Sequence, residues 1–166
     1  MRDFWRSFII LMSKVYFSIG SNKGNRSGLI NEAIDKIDII IGKVVLKSSI
    51  YETKSWGFNS NNFYNICILL ESTLTPELIL NKILTIEKDM GRLKTTDQYS
   101  DRFIDIDILF FDNMIVNSKS LEIPHPRIQL RKFVLIPMLE LTPDLIHPIL
   151  NKSIKSCFVL SEIQKT

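Results

Sequence analysis

The sequence predicts an α+β domain built around an antiparallel sheet. Three observations lead there. Short apolar or β-branched runs alternate with segments whose apolar residues recur at helical spacing. Their order along the chain is strand, helix, strand, strand, helix, strand, then short pieces. The 166 residues fit one compact domain with a single hydrophobic core.

Residues 15–21 read as a first strand that runs into the turn-prone "GSNKGNRSG". A helix follows over residues 29–41, with Leu29, Ala33, Ile37 and Ile40 or Ile41 on one face and Gly42 placed to stop it. Residues 44–51 are rich in β-branched side chains and read as a second strand. The polar "TKSWGFNSNN" is a long loop, and long loops in compact domains often carry function. Residues 63–72 form a third strand. The next helix is well signalled: Thr75 caps, Pro76 takes the first position, Leu78, Ile79, Ile83 and Ile86 make the buried stripe, and Gly91 ends it. A second polar loop, "RLKTTDQYSDR", leads into a fourth strand, "DRFIDIDILFFD". This order is the ferredoxin-like βαββαβ core, with both helices on one face of the sheet. From Ile115 onward prolines break the chain into short C-terminal additions, with a helix expected over residues 129–140. A single domain is expected over residues 12–166, and residues 1–11 read as a short extension or a start-site artefact.

Composition removes several classes of function. The net charge of +3 is mild and no basic tract is concentrated, which argues against nucleic-acid binding. No stretch approaches the roughly 20 apolar residues of a membrane span. The apolar patch at residues 8–12 has no small-residue cleavage site after it, so it is not a secretory signal. Cys67 and Cys157 lack CxxC partners and neighbouring histidines, so a zinc site is not expected. Two unpaired cysteines suit a reducing, cytoplasmic setting, and with no apolar stripe left over the chain is expected to be a monomer.

The chemistry concentrates in the fourth strand. Residues two apart in a strand share a face, so Ile104, Ile106, Ile108 and Phe110 are expected on the helix-covered side. Asp105, Asp107, Leu109 and Phe111 are then expected on the other. The rise of about 3.4 Å per residue puts the two aspartates roughly 6–7 Å apart along the backbone. Carboxylates so placed repel unless cations lie between them. Magnesium suits them, because it takes one or two carboxylates plus substrate phosphates and water. Arg92, Lys94, Arg102, Arg127, Arg131 and Lys132 add the positive charge that a metal–triphosphate complex needs. From these residues alone, solvated aspartates, a nucleotidyl-transfer or cyclase domain, and a small-molecule binding domain also stay open. The "GSNKGN" turn lacks the Gly-Lys-Ser/Thr ending of a phosphate loop and reads as a shaped turn. His125 sits in a rigid Pro-His-Pro context; His147 carries no comparable signal.

Taken in order, "SIGSN", "YET…WGF…NNFYN", "IEKDMGR", "DRFIDIDILFFD" and "IPHPR…R.FVLIPMLEL" resemble the motifs of the 6-hydroxymethyl-7,8-dihydropterin pyrophosphokinase family of the folate pathway. The resemblance covers roughly residues 15–144. It implies pyrophosphoryl transfer from ATP, the co-substrate, to the pterin hydroxymethyl oxygen, with two Mg²⁺ held by Asp105 and Asp107. It also implies that Phe63 and Phe133 sandwich the pterin, with Asn65, Thr53 and Trp56 at its edge and loop. Glu87, Arg92, Lys94, Arg102, Ile108, His125 and Arg131 would face the nucleotide, with Arg92 and Arg102 also counted as catalytic. Three departures stand out: Lys94 where arginine is common, Tyr99 where some members carry tryptophan, and the bulky Trp56 and Phe58 in the second loop.

Overall fold

The computed structural model describes residues 11–55, 59–91 and 101–163. The expectation for residues 1–10 lies outside them. The chain runs β1 (Ser13–Ser21), α1 (Arg26–Ile40), β2 (Lys43–Lys47), β3 (Tyr51–Thr53), β4 (Phe63–Ser72), α2 (Pro76–Asp89) and β5 (Asp105–Phe111). Two short hairpins follow, β6 (Val116–Asn117) with β7 (Glu122–Ile123), and β8 (Ile146–His147) with β9 (Lys152–Ser153). A 3₁₀ turn (Ile128–Leu130) precedes α3 (Lys132–Leu141), and α4 (Ile154–Ile163) follows β9.

The main sheet is antiparallel, in the order β2–β4–β1–β5, with β3 also paired to β4. Alternation along the two central strands assigns the faces. Val15, Phe17 and Ile19 of β1, and Ile66, Ile68 and Leu70 of β4, point to one side. There Ile30, Ala33, Ile34 and Ile37 of α1 and Ile79, Ile83 and Ile86 of α2 cover them. Residues 13–14, 25–28 and 42–43 extend or shift the expected element ends by only a few positions. Asn25 caps α1, its Oδ1 accepting from the Gly28 N–H at 3.1 Å, and Thr75 caps α2 as expected. One stripe residue falls elsewhere, Leu78, at 48% exposed. Of the pair Ile40 or Ile41 it is Ile41 that is buried, and Ile30 and Ile34 add to the covered face of α1.

The expected second strand is two strands. β2 and β3 pair with different stretches of one edge of β4, Lys43–Lys47 against residues 68–71 and Tyr51–Thr53 against residues 63–65. Between them Ser48 leaves strand geometry but stays stitched, its N–H donating to the Cys67 carbonyl at 3.0 Å and its Oγ accepting from the Cys67 N–H at 3.1 Å.

A second correction concerns β5. Ile104, Ile106 and Ile108 point under the helices, but Phe110 does not and Phe111 does. Between Tyr16 and Phe17 the register with β1 shifts, Phe17 facing Ile108 and Tyr16 facing Phe110. Leu109 is the extra residue of this β-bulge, so alternation restarts one residue late. Leu109 and Phe110 both join a second core with Tyr16, Cys67 and Leu69, which α3 and α4 close through Val134, Leu135, Met138, Ile154 and Cys157. Helices therefore cover both faces: α1 and α2 all of one, α3 and α4 only the far end of the other. Lys132 of α3 is paired with Glu162 of α4.

The turn from α1 to β2 depends on a missing side chain. A Cβ on Gly42 would lie 2.3 Å from the Glu71 carbonyl and 2.9 Å from Ser72 Cβ. Both belong to a strand that cannot yield cheaply. Gly42→Ala should therefore lower stability by about 1–3 kcal/mol, the usual cost of overpacking. The check is a lower urea midpoint at unchanged slope.

Candidate active site

The end of the second face left uncovered by α3 and α4 is polar, and strand register builds it. Gly20 of β1 pairs with Asp105 on one side and Asn65 on the other, and Tyr51 extends the row beyond Asn65. One pleat further in, Ser18 pairs with Asp107 and Cys67. Thus Asp105 and Asp107 do share a face with Phe63 and Asn65, as period two requires. Two inter-strand steps of about 4.8 Å separate Asp105 from Asn65, some 10 Å in all. Gly20 is the floor between them. A Cβ there would lie 3.1 Å from Asn65 Oδ1 and 3.6 Å from the Phe63 ring.

The two aspartates are held by arginines. Arg102 Nη1 lies 2.7 Å from Asp105 Oδ2, and Arg131 Nη1 lies 3.3 Å from Asp107 Oδ2. Their side chains remain 23% and 34% exposed, so both are open to a ligand. A cleft of about 290 Å³ runs along the outer edge of β5, lined by Leu80, Leu84 and Glu87 of α2 and by Arg102, His125 and Arg127, among others. Both aspartates and Arg131 open into it. Three arginines thus meet three carboxylates in one cleft, an arrangement suited to an anion brought in together with cations.

His125 is fixed in place twice. Its backbone N–H donates to the Leu109 carbonyl at 3.0 Å, extending the edge of β5, and its Nδ1 accepts from the Arg127 N–H at 3.2 Å. That second bond places the ring proton on Nε2, 3.8 Å from Asp107 Oδ2 and 3.4 Å from Arg131 Nη1. Burial first, then Arg131 and Arg127, push the imidazole down to about 4. At neutral pH it is uncharged and offers an N–H donor, so of the two it is Arg131 that makes the ion pair with Asp107.

Glu87 is 1% exposed, inside the first core yet at the cleft wall. Its Oε1 accepts from the Ile106 N–H at 2.8 Å. β5 is an edge strand, and this carboxylate satisfies a backbone donor that would otherwise lie unpaired. The Ile108 side chain is in the core under the helices, as its strand face predicts. Strand alternation leaves its backbone groups, like those of Ile106, on the outer edge, so only these can meet a ligand.

On the other side of Gly20, Asn65 Nδ2 donates to Thr53 Oγ1 at 2.8 Å. Phe133 stands in the first turn of α3 beside Arg131, whose Cζ is 5.5 Å from the ring centre. The structure therefore gathers Thr53, Phe63, Asn65, Asp105, Asp107, Arg102, His125, Arg131 and Phe133 at one end of the sheet. Trp56, Phe58, Arg92, Lys94 and Tyr99 lie outside the described residues. Two contributors were missed. Gly20 and Asn22 both lie in "SIGSN", which the local sequence marks only as a strand end running into a turn. Asn22 Oδ1 accepts from the Arg102 N–H at 2.8 Å, its N–H donates to the Arg102 carbonyl at 3.2 Å, and its Nδ2 donates to Asp101 Oδ1 at 2.8 Å. It thereby sets the backbone that carries Arg102.

The donor set can be tested against a metal. Among the described residues, no group of three or more His, Cys, Asp or Glu could hold an ion by itself. Two hard, partly exposed carboxylates with arginines beside them suit magnesium, which completes its shell with phosphate oxygens and water. Asp105 and Asp107 would hold it. Among the described residues, no helix is long and apolar enough to cross a membrane.

Two aspartates, a buried glutamate and three arginines in one cleft suit the transfer of a phosphoryl or pyrophosphoryl group between small molecules. The family model described as 7,8-dihydro-6-hydroxymethylpterin-pyrophosphokinase matches residues 16–143. A 2-amino-4-hydroxy-6-hydroxymethyldihydropteridine pyrophosphokinase from Aquifex aeolicus is 39% identical over 145 residues, covering 87% of this chain and 89% of that protein. Its namesake from Porphyromonas gingivalis is 40% identical over 141 residues, covering 82% and 95%. The folic acid synthesis protein fol1 of Pneumocystis carinii is 45% identical over 145 residues, but the chain spans only 20% of it. The crystal structure of Plasmodium falciparum HPPK-DHPS superposes with a TM-score of 0.76 at 16% identity, covering 93% of this chain and 46% of that one; at that identity it speaks for the fold alone. This chain belongs to the 7,8-dihydro-6-hydroxymethylpterin-pyrophosphokinase family.

Because the folded pKa of His125 lies below the ordinary value of about 6.5, its neutral form favours the native state. That contribution is complete above about pH 6.5 and is lost as the pH falls through about 4. In the metal-free protein, NMR titration of the ring protons should give a midpoint near 4 for the signal that His125→Gln removes. A midpoint at 6.5 would contradict the buried, arginine-flanked setting.

Proposed function

We propose that this chain transfers the pyrophosphoryl group of ATP to the hydroxymethyl oxygen of 6-hydroxymethyl-7,8-dihydropterin, releasing AMP, in folate biosynthesis. Family membership supports the reaction. The observation that carries the site assignment is the row Asp105–Gly20–Asn65. It sets an amide and a phosphate-handling carboxylate about two strand spacings apart across a bare floor, room for a flat bicycle with its hydroxymethyl arm directed at the aspartates.

In this reading Phe63 and Phe133 grip the ring faces, Asn65 and Thr53 take the polar edge, and Trp56 is assigned to pterin binding from the family motif. The pterin oxygen attacks the β-phosphorus of ATP, a new O–P bond forms, and the bridging oxygen departs with AMP. Asp105 and Asp107 would hold two Mg²⁺, which would neutralise phosphate charge and acidify the attacking hydroxyl. Arg102, Arg131 and the neutral Nε2–H of His125 line the phosphates, while the Ile108 backbone and α2 receive the base, with Glu87 fixing the edge of β5 between them. Arg92 and Lys94, which the family motif assigns to the nucleotide, act on the phosphates in this reading and, with Arg102, help exclude water that would hydrolyse ATP. The strand order and helix placement fit a ferredoxin-like core in one domain over residues 12–166. Cys67 and Cys157 are free and buried, in keeping with a reducing cytoplasm, and the reading takes a monomer as the working unit.

The test is an incubation with ATP, Mg²⁺ and the pterin, with adenine products separated by chromatography. AMP should form in step with pterin diphosphate; ADP would mean a simple kinase, and no pterin-dependent product would end the proposal. Asp107→Asn should reduce turnover about 10²-fold or more, as loss of charge stabilisation does, with cooperative unfolding retained. Phe133→Ala should weaken pterin binding by about 1–3 kcal/mol, the range for a ring stack, while ATP affinity changes less than about twofold. Equal losses for both ligands would count against the aromatic grip.

A further inference from the structure

We propose that Glu140 is a positioning residue for the pterin side of the site, clasping the short strand β3 to α3 so that the two walls of the slot keep their spacing. This rests on the reading above for the ligand, but the clasp itself is a feature of the fold.

β3 has three residues, pairs with β4 alone, and is cut off from β2 by the break at residues 48–50. So short a strand at a sheet edge has few backbone bonds to hold it. Yet it carries Thr53, the partner of Asn65. Glu140 compensates from the next layer. Its two carboxylate oxygens accept from the Ser49 N–H at 3.0 and 2.9 Å; Oε1 also accepts from Ser49 Oγ at 3.0 Å, and Oε2 from the Tyr51 phenol at 2.7 Å. One ionised side chain thus binds the break and the start of β3 together. These bonds hold its carboxyl below the usual range and raise the Tyr51 phenol. Hydrogen bonds to a charged acceptor are the stronger kind.

Periodicity connects the clasp to the slot at both ends. Tyr51 and Thr53 share a strand face, so anchoring the phenol fixes where the threonine hydroxyl stands. Glu140 and Phe133 are seven residues apart on α3, two turns and about 10 Å along its axis, and so share a helix face. The carboxylate therefore ties the wall bearing Thr53 and Asn65 to the wall bearing Phe133. Glu140 touches no substrate in this arrangement, and nothing in it reaches the nucleotide cleft.

The experiment compares the wild type with Glu140→Ala, Glu140→Gln and Tyr51→Phe, all as the full chain. Glu140→Ala should raise KM for the pterin about tenfold and leave KM for ATP within about twofold, with unfolding still cooperative. Tyr51→Phe, losing one bond of the clasp, should fall between, and the glutamine, which keeps one acceptor oxygen, should recover part of the loss. Backbone hydrogen exchange supplies a readout that needs no pterin: amides of residues 49–53 should exchange at least tenfold faster in Glu140→Ala or Tyr51→Phe than in the wild type. Should the wild type fail to use the pterin, the proposed reaction falls, and this exchange still decides the clasp. Unchanged exchange at β3, or equal losses for both substrates, overturns it. If Glu140→Ala does not fold, Tyr51→Phe carries both measurements.

Discussion

The pairing of β1 with both β4 and β5 is the constraint on which the rest depends. As the central strand, β1 carries the alternation that makes Val15, Phe17 and Ile19 core, and it leaves Ser18 and Gly20 on the opposite side. Everything polar at the site is placed by register with those two residues. The isoleucines that lock α1 and α2 onto one face therefore also hold the aspartates on the other, because a one-residue slip would exchange the two sets. Burial stabilises the sheet and aims the chemistry in the same act.

The second face divides because of what each strand puts there. Toward the β5 start it offers Asp105, Gly20, Asn65 and Phe63; toward the end, Leu109, Phe110, Tyr16 and Leu69. Only the apolar half attracts the bodies of α3 and α4; the site stays open where α3 contributes its capping Arg131 and first-turn Phe133 rather than a packed face. The cleft then balances charge internally. Arg102 and Arg131 occupy the aspartates, and His125 stays neutral because a further cation among arginines would be costly to bury. A cation–polyphosphate complex can enter such a cleft without leaving either sign unpaired.

Much of this was legible in the sequence, and where it was not the reason is physical. The pairing of Asp105 with Asp107, the cap at Thr75 and the third strand follow from local periodicity, which neighbours rarely override. Phe110 and Phe111 were placed on the wrong faces because a bulge has no local signature when every residue around it is apolar. The break after Lys47 hid in "KSSI", which keeps the look of a strand. α4 escaped because its anchors, Ile154 and Cys157, are few and the rest of its surface is mixed. Gly20 and Glu140 matter through residues far along the chain, Asp105, Asn65, Ser49 and Tyr51, so no local spacing could reveal them.

The bulge at Leu109 splits β5 into two independent phases. Before it, alternation puts Asp105 and Asp107 on the site face; after it, Phe110 joins the α3–α4 layer while Phe111 turns under α1 and α2. Because the change of phase falls after Asp107, a shift in how the far end of β5 seats leaves both aspartates on the site face as long as Arg131 keeps its contact with Asp107.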